Sequence, residues 1–389
     1  MPPTRSRPPL VAALLAGPLA AACAATPAPH APAPAASALA SPVVASLPFR
    51  LVDNRIWVDA FVDHQGPFVF AFDTGGANMV TPALAERLGL ASVAAGSTTG
   101  AGEGQVAYAT ARVAHFQLGA LELAQQDFMV LDVSPIQAAF ALPAFDGLFG
   151  FEVLSRYAAR IDFAGLRLDL LDGVAPADVA GFDRVPFTLV ADKPVIAATI
   201  DGVPARVLID TGDRSSLTIM TAFLAHPEIA AAFPDATAQV TGVGIGGAIP
   251  ARLGAVGHLA WSPRAALDHV VARQPTTKGG FNALPDLDAS IGNEVLRQFT
   301  VVFDYAARVA WFAPNAHFGE PTRFTPVPHP PAAQASERRA LSPSGRARQP
   351  PAFMIARNDF GIHTQWPFTK TSPSKAMPLD SPGFTYFQA

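Results

Sequence analysis

Apolar positions along the chain fall into short runs rich in β-branched and aromatic residues, broken by Gly, Pro, Asp and Asn. Such runs predict strands separated by turns, most clearly at residues 56–61, 68–72, 195–200 and 299–304. One stretch departs from that pattern, Thr81-Pro82-Ala83-Leu84-Ala85-Glu86-Arg87-Leu88-Gly89-Leu90. A hydroxyl N-cap, proline at the first helical position and glycine near the end predict a short helix there. The expected fold class is mainly β.

Two of the apolar runs end in the same tripeptide. Phe68-Val69-Phe70-Ala71-Phe72 leads into Asp73-Thr74-Gly75, and Arg206-Val207-Leu208-Ile209 leads into Asp210-Thr211-Gly212. An aspartate at a strand end, followed by a small hydroxyl residue and a glycine that permits a tight turn, can be held with its oxygens facing a cleft. Further landmarks repeat in order. Asp146-Gly147-Leu148-Phe149-Gly150 is matched by Asp288-Ala289-Ser290-Ile291-Gly292, and Val153-Leu154 by Val295-Leu296. Each glycine is followed twelve residues later by an aspartate, Asp162 or Asp304, and each Asp-Thr-Gly is preceded six residues earlier by a proline, Pro67 or Pro204. Shared order and spacing over so long a stretch indicate a duplicated structural unit of domain size, too long for a solenoid repeat. Asp162 and Asp304 are expected to be structural residues on paired strands.

These motifs resemble the aspartic peptidases, in a form where two retropepsin-like lobes lie in one bacterial chain, as in pepsin. The resemblance covers about residues 47–315. It implies two β-barrel lobes with a cleft between them. It also implies Asp73 and Asp210 as the catalytic pair, with Thr74 and Thr211 locking the two motifs together and Gly75 and Gly212 completing the turns. The segments ending at Gly150 and Gly292 are implied to cross behind the aspartates and brace them. The chemistry is then amide hydrolysis, in which one carboxylate accepts a proton from water while the other supplies one to the carbonyl oxygen. Like charges about 3 Å apart resist joint ionisation, so such a pair shares a proton, an effect for which aspartic proteases are the standard illustration. No metal or other cofactor is expected. Both aspartates come from one chain, so oligomerisation is not required for the site.

Two positions depart from the family pattern, which usually has a small or hydroxyl residue after the glycine. Gly76 stands there in the first half and is expected to lose at most one contact. Asp213 stands there in the second, where a like charge raises the pKa of its neighbour. Arg214 is the expected counter-charge. Asp213 is also the feature that favours an alternative, a catalytically inactive peptide-binding or scaffolding envelope lipoprotein with the same fold. A serine or metal hydrolase is disfavoured, since neither Gly-x-Ser-x-Gly nor a metal-ligand spacing such as His-x-x-x-His occurs. His115, His258 and His269 are expected to be surface or locally bonded.

After each Asp-Thr-Gly comes a glycine-rich stretch, residues 96–104 and 242–247. Their placement fits two substrate flaps, with Gly100, Gly102, Gly244 and Gly246 allowing close approach and movement; ordinary hairpin tips are the plainer reading of each. The second stretch spells Gly-x-Gly-x-x-Gly but precedes no clear helix, which argues against a dinucleotide site.

The 389 residues carry a net charge of -4, which gives no reason to expect nucleic acid. Arg5 and Arg7, the apolar run 10–16 and the small residues before Cys23 form a signal peptide over 1–23. Cys23 is the sole cysteine, so no intramolecular disulfide forms. Its position fits lipidation and a membrane tether, while cleavage after an Ala-x-Ala remains the other route. The expected layout is an Ala/Pro-rich linker at 24–45, a first lobe at 46–175, a second at 176–318 and a disordered Pro-rich tail at 319–389. The expected setting is the cell envelope, and the expected partner a peptide or protein substrate.

Overall fold

The computed structural model describes residues 40–234 and 236–330, together with the backbone of Tyr386–Phe387. The expected signal peptide, Cys23 and most of the expected linker and tail lie outside them. Among the described residues the chain is mainly β, in one sheet of 13 strands and another of 9, consistent with barrel-like lobes. No helix among the described residues is long and apolar enough to cross a membrane.

The expected strands form at Arg55–Val62, Gln65–Phe72, Lys193–Ile200 and Phe299–Asp304. The helix spans Pro82–Leu88, with the Thr81 hydroxyl accepting from Leu84 N–H and Gly89 closing it in the left-handed conformation at φ 66°. A glycine suits that position because it has no Cβ to clash.

The two halves meet in a shared antiparallel sheet. Ala158–Asp162 from the first half pairs with Phe299–Asp304 from the second, Ala159 opposite Phe303 and Ile161 opposite Val301. Val43–Pro48 and Arg167–Leu171 extend it on one side, and Val309–Pro314 and Asp183–Val190 on the other. Asp162 and Asp304 cap the turns after these strands, accepting from Gly165 N–H and Ala307 N–H at 2.9 and 2.8 Å. Both halves contribute to one core, in which the rings of Phe70, Phe116, Phe128 and Phe149 pack together and those of Trp261, Phe299 and Phe312 form a second group. Each fully buried phenylalanine contributes about 1.5–3 kcal/mol.

The duplication is visible in register. Trp57 lies opposite Ala71, two residues before Asp73, and Val195 lies opposite Leu208, two residues before Asp210. Arg55 and Lys193, two residues earlier still, therefore occupy equivalent places at the start of equivalent strands. Each follows a turn of two positive-φ residues, Asp53-Asn54 and Ala191-Asp192.

Two boundaries differ from expectation. Val43–Pro48 already pairs with Arg167–Leu171, because Ala45 and Leu47 face the core; the linker ends sooner than residue 45. The chain also stays packed through 319–330, where a disordered tail was expected. Val327 is buried, His329 N–H donates to Ala139 O at 3.0 Å, and Thr325 O accepts from Arg214. Local Pro-rich composition does not reveal such contacts with distant residues. The backbone of Tyr386–Phe387 pairs in parallel with Thr99 and Gly100.

Candidate active site

Each Asp-Thr-Gly sits where a strand runs into a turn beside a short parallel strand. Gln65–Phe72 pairs with Gly147–Phe149, and Val203–Ile209 with Ala289–Ile291. The ladder continues into the motif, since Asp73 N–H donates to Phe149 O at 3.1 Å and Asp210 N–H to Ile291 O at 3.0 Å. Gly150 and Gly292 then pass directly behind the loops. A Cβ on Gly150 would lie 2.2 Å from Asp73 O, and one on Gly292 would lie 2.3 Å from Ser215 O. Only glycine fits either crossing.

The threonines lock the two halves together. Thr74 N–H donates to Thr211 Oγ1 at 2.9 Å, and Thr211 N–H donates to Thr74 Oγ1 at 3.0 Å. Each hydroxyl then donates across the pair, Thr74 to Ile209 O at 2.9 Å and Thr211 to Phe72 O at 3.1 Å. All four groups are buried, so each bond is protected from competing water. Tyr305 from the end of the shared sheet adds a hydrogen bond to Thr74 O at 2.8 Å.

This lock brings Asp73 and Asp210 together at zero exposure. Gly75 N–H donates to Asp73 Oδ1 at 2.7 Å and Gly212 N–H to Asp210 Oδ1 at 2.9 Å. A Cβ on Gly75 would stand 3.3 Å from both Asp73 Oδ1 and Asp210 Cγ, a tight contact that glycine avoids between the carboxyls. The two Oδ2 atoms are buried with no donor among the described residues. A hydrogen bond between the carboxyls therefore requires that one of them carry a proton. Burial raises both pKa values above the ordinary carboxylate range, and for Asp210 the charges of Asp73 and Asp213 push further in the same direction.

Asp213 is not neutralised by Arg214, as sequence adjacency led us to expect. Arg214 turns away to pair with Asp53, its Nε 2.7 Å from Oδ1. Arg273 is the partner instead. Its Nη2 donates to both Asp213 oxygens at 3.1 Å, and its Nε donates to Thr218 Oγ1 at 2.8 Å. Ser215 N–H and Oγ add donors to Asp213 Oδ1 at 2.8 and 2.7 Å. Burial alone would raise the Asp213 pKa; Arg273 and these hydrogen bonds outweigh it and hold the group below its ordinary value. Arg273 lies opposite Thr218 across parallel strands, which brings it to Asp213 over a separation of 60 residues that the sequence does not reveal.

Gly76 likewise has a steric role rather than a lost contact. A Cβ there would meet the Leu148 side chain at 2.6 Å and Asp73 Oδ2 at 2.8 Å. The site also contains a cation that sequence reasoning missed. Lys193, 6% exposed, donates from Nζ to the Gly75 carbonyl across the two halves. Burial lowers its pKa, opposed by Asp73 and Asp210, and its charge in turn lowers theirs. Lys193, Asn78, Tyr108 and Glu152 line a cavity of about 290 Å³ beside Gly75 and Gly76. The side-chain amide of Asn78 is buried there with neither atom partnered.

The glycine-rich stretches are the tips of two hairpins, between Ser92–Gly100 and Val106–Leu118 and between Gln239–Gly244 and Gly247–Ala260. The Gly-x-Gly-x-x-Gly of the second lies in this hairpin, with no helix after it. The tips join each other. Gly100 and Gly102 N–H donate to Ile245 O at 3.2 and 3.0 Å, and Gly104 N–H donates to Gly246 O at 2.9 Å. Gly244 pairs with Gly247 across the second tip. A Cβ on Gly102 would lie 2.3 Å from the Gly246 carbonyl carbon, so the approach of the tips itself demands glycine. Asn282 Nδ2 holds the first tip as well, donating to Ala101 O at 2.8 Å.

Residues 58–153 match the family model described as Aspartyl protease. The match spans Asp73-Thr74-Gly75 and the segment ending at Gly150, and it supports a retropepsin-like aspartic peptidase family and a protease-like function. A search of curated proteins found no match. The second Asp-Thr-Gly lies outside the matched residues and rests on the repeat and on the lock between the threonines.

Proposed function

Starting from a first half that matches the aspartyl proteases, we propose that the chain is an aspartic-type endopeptidase whose catalytic pair is Asp73 and Asp210. The observation that carries this reading is the reciprocal Thr74 and Thr211 hydrogen bonding, which brings the two carboxyls into one buried pair. At the working pH the pair holds one proton. The ionised carboxylate takes a proton from water as the water attacks the scissile carbonyl carbon. The protonated carboxyl gives its proton to the carbonyl oxygen, forming a neutral tetrahedral diol. Collapse breaks the C–N bond. The newly protonated carboxyl gives its proton to the leaving amine nitrogen, while the other carboxylate takes a proton from a diol hydroxyl as that carbon becomes the product acid. The pair again holds one proton. The roles of Asp73 and Asp210 are exchangeable.

The surroundings fit that chemistry. Arg273 offsets the Asp213 charge, so the departure at that position does not favour the inactive alternative. Lys193 offsets part of the pair's own charge. The flap tips part to admit an extended peptide and close over it, excluding water. The cavity beside Gly75 receives a substrate side chain next to the scissile bond. Residues 1–23 direct export, and lipidation at Cys23 would tether the enzyme to the envelope membrane.

The test is cleavage of a mixed peptide library by the purified protein from acid to neutral pH, beside Asp73→Asn and Asp210→Asn. Cleavage lost in both variants is expected. A folded parent that cleaves nothing at any pH, or variants that cleave as the parent does, would overturn the proposal.

A further inference from the structure

Away from the aspartates, the chain gathers three ligand-bearing side chains, His115 and Glu122 from the two arms of one hairpin and His64 from a turn distant in sequence. His64 sits in the turn after Arg55–Val62, His115 in Val106–Leu118 and Glu122 in Leu121–Val130. One ligand atom from each lies within 4.8 Å of the other two. The imidazole rings of His64 and His115 face each other at 4.3 Å between centroids, tilted by 33°. His115 Nδ1 lies 2.6 Å from Glu122 Oε1.

The duplicated unit separates what the fold needs from what it does not. In the first half Asp63 N–H donates to His115 O at 2.8 Å, and Asp63 Oδ1 accepts from His115 N–H at 2.8 Å. In the second half Asp201 and His258 make the same two bonds at 2.9 and 2.7 Å. Each histidine also has a carboxylate at Nδ1, Glu122 in one half and Asp268 at 2.8 Å in the other. This clip, which fastens a hairpin turn to the neighbouring strand, is therefore common to both copies. The next turn residue is not. The second half has Gly202 at φ 82°, whereas the first holds His64 at φ 61°, a left-handed conformation that a glycine adopts more easily. The turn needs no imidazole, yet the first half carries one directly over His115.

We propose that His64, His115 and Glu122 form a surface site for a divalent transition-metal cation of the zinc type. Imidazole nitrogen with one carboxylate suits such ions rather than Ca²⁺ or Mg²⁺, which take oxygen ligands. Zinc binds nitrogen and oxygen at about 2.0–2.2 Å in tetrahedral geometry, which places donors about 3.3 Å apart. His115 and Glu122 are roughly half exposed, with side-chain exposures of 41% and 45%, so small rotamer changes bring three donors to that spacing while the clip holds the backbone still. Water completes the fourth position. Glu122 serves either as a direct ligand or as the group that orients His115 through Nδ1. Bound metal would cross-link the hairpin turn to the strand that returns from the first flap.

Zn²⁺ titrated into untagged full-length protein tests this by calorimetry and by the unfolding midpoint. The expected result is saturable binding at this site, a midpoint that rises with Zn²⁺ and returns with EDTA, and an affinity loss of about tenfold or more in His64→Gly. That variant installs the residue the second half uses, and His64→Asn also suits the turn. Asp73→Asn should bind Zn²⁺ as the parent does, so the result is independent of any peptidase activity. Equal Zn²⁺ affinity in parent and His64→Gly, no binding by the parent, or equal competition by Ca²⁺ would overturn the proposal.

Discussion

Asp213 and Arg273 form a buried ion pair, 1% and 5% exposed in their side chains, in which one guanidinium nitrogen serves both carboxylate oxygens at 3.1 Å. The pair stands beside the second Asp-Thr-Gly, where Asp213 N–H also donates to Asp210 Oδ1 at 3.2 Å. Removing one partner strands the other charge. Arg273→Met is expected to destabilise the protein by about 3–5 kcal/mol, read from denaturant unfolding. Asp213→Ser combined with Arg273→Met is expected to cost less than Arg273→Met alone, because no buried charge is left behind.

Thr74→Ala deletes an acceptor for Thr211 N–H and a donor to Ile209 O in one step. Each stranded buried group costs about 1–3 kcal/mol. Thr74→Ser should keep most of the stability and the activity, whereas Thr74→Ala should lose both. Thermal unfolding and peptide cleavage measured on the same samples check this.

The raised pKa values of Asp73 and Asp210 make stability depend on pH. Between the unfolded carboxylate pKa, about 3.9, and the higher folded values, the native state binds more protons than the unfolded chain. Stability therefore falls as pH rises through that window. The contribution is fully present below the unfolded pKa and is lost as pH rises through the folded values. Asp210→Asn removes one of the titrating charges. It is expected to abolish cleavage yet raise the unfolding midpoint at neutral pH, with parent and variant converging near pH 3, as unfolding scans across pH will register.

Lys193 lowers the pKa of both aspartates through its charge. Lys193→Met should raise both, so the acid and alkaline limbs of the cleavage profile should move together toward higher pH. A profile of kcat/KM against pH tests this; a loss of rate with unmoved limbs would mean that Lys193 acts only by holding the Gly75 carbonyl.

Much of this protein was legible in the order of its residues. A hydroxyl residue before a proline set the start of the helix at Pro82, and a glycine set its end, because caps are local chemistry. The repeated Asp-Thr-Gly and the glycines at 150 and 292 identified the loops that meet, because a tight crossing admits only glycine wherever it occurs. At the hairpin tips Gly102 and Gly246 meet the same demand for close approach, though the bonds that join tip to tip were not legible.

What only the tertiary structure decided is the choice of partners. Arg214 adjoins Asp213 in sequence but pairs with Asp53, while Arg273 arrives from a strand 60 residues away. Lys193 reaches Gly75 over 118 residues, and His64 meets His115 and Glu122 only when its turn docks against their two paired strands. Backbone preference and turn chemistry act over a few residues and are written locally. Charge compensation and ligand grouping depend on distances through space, which sheet register sets only after the strands have paired.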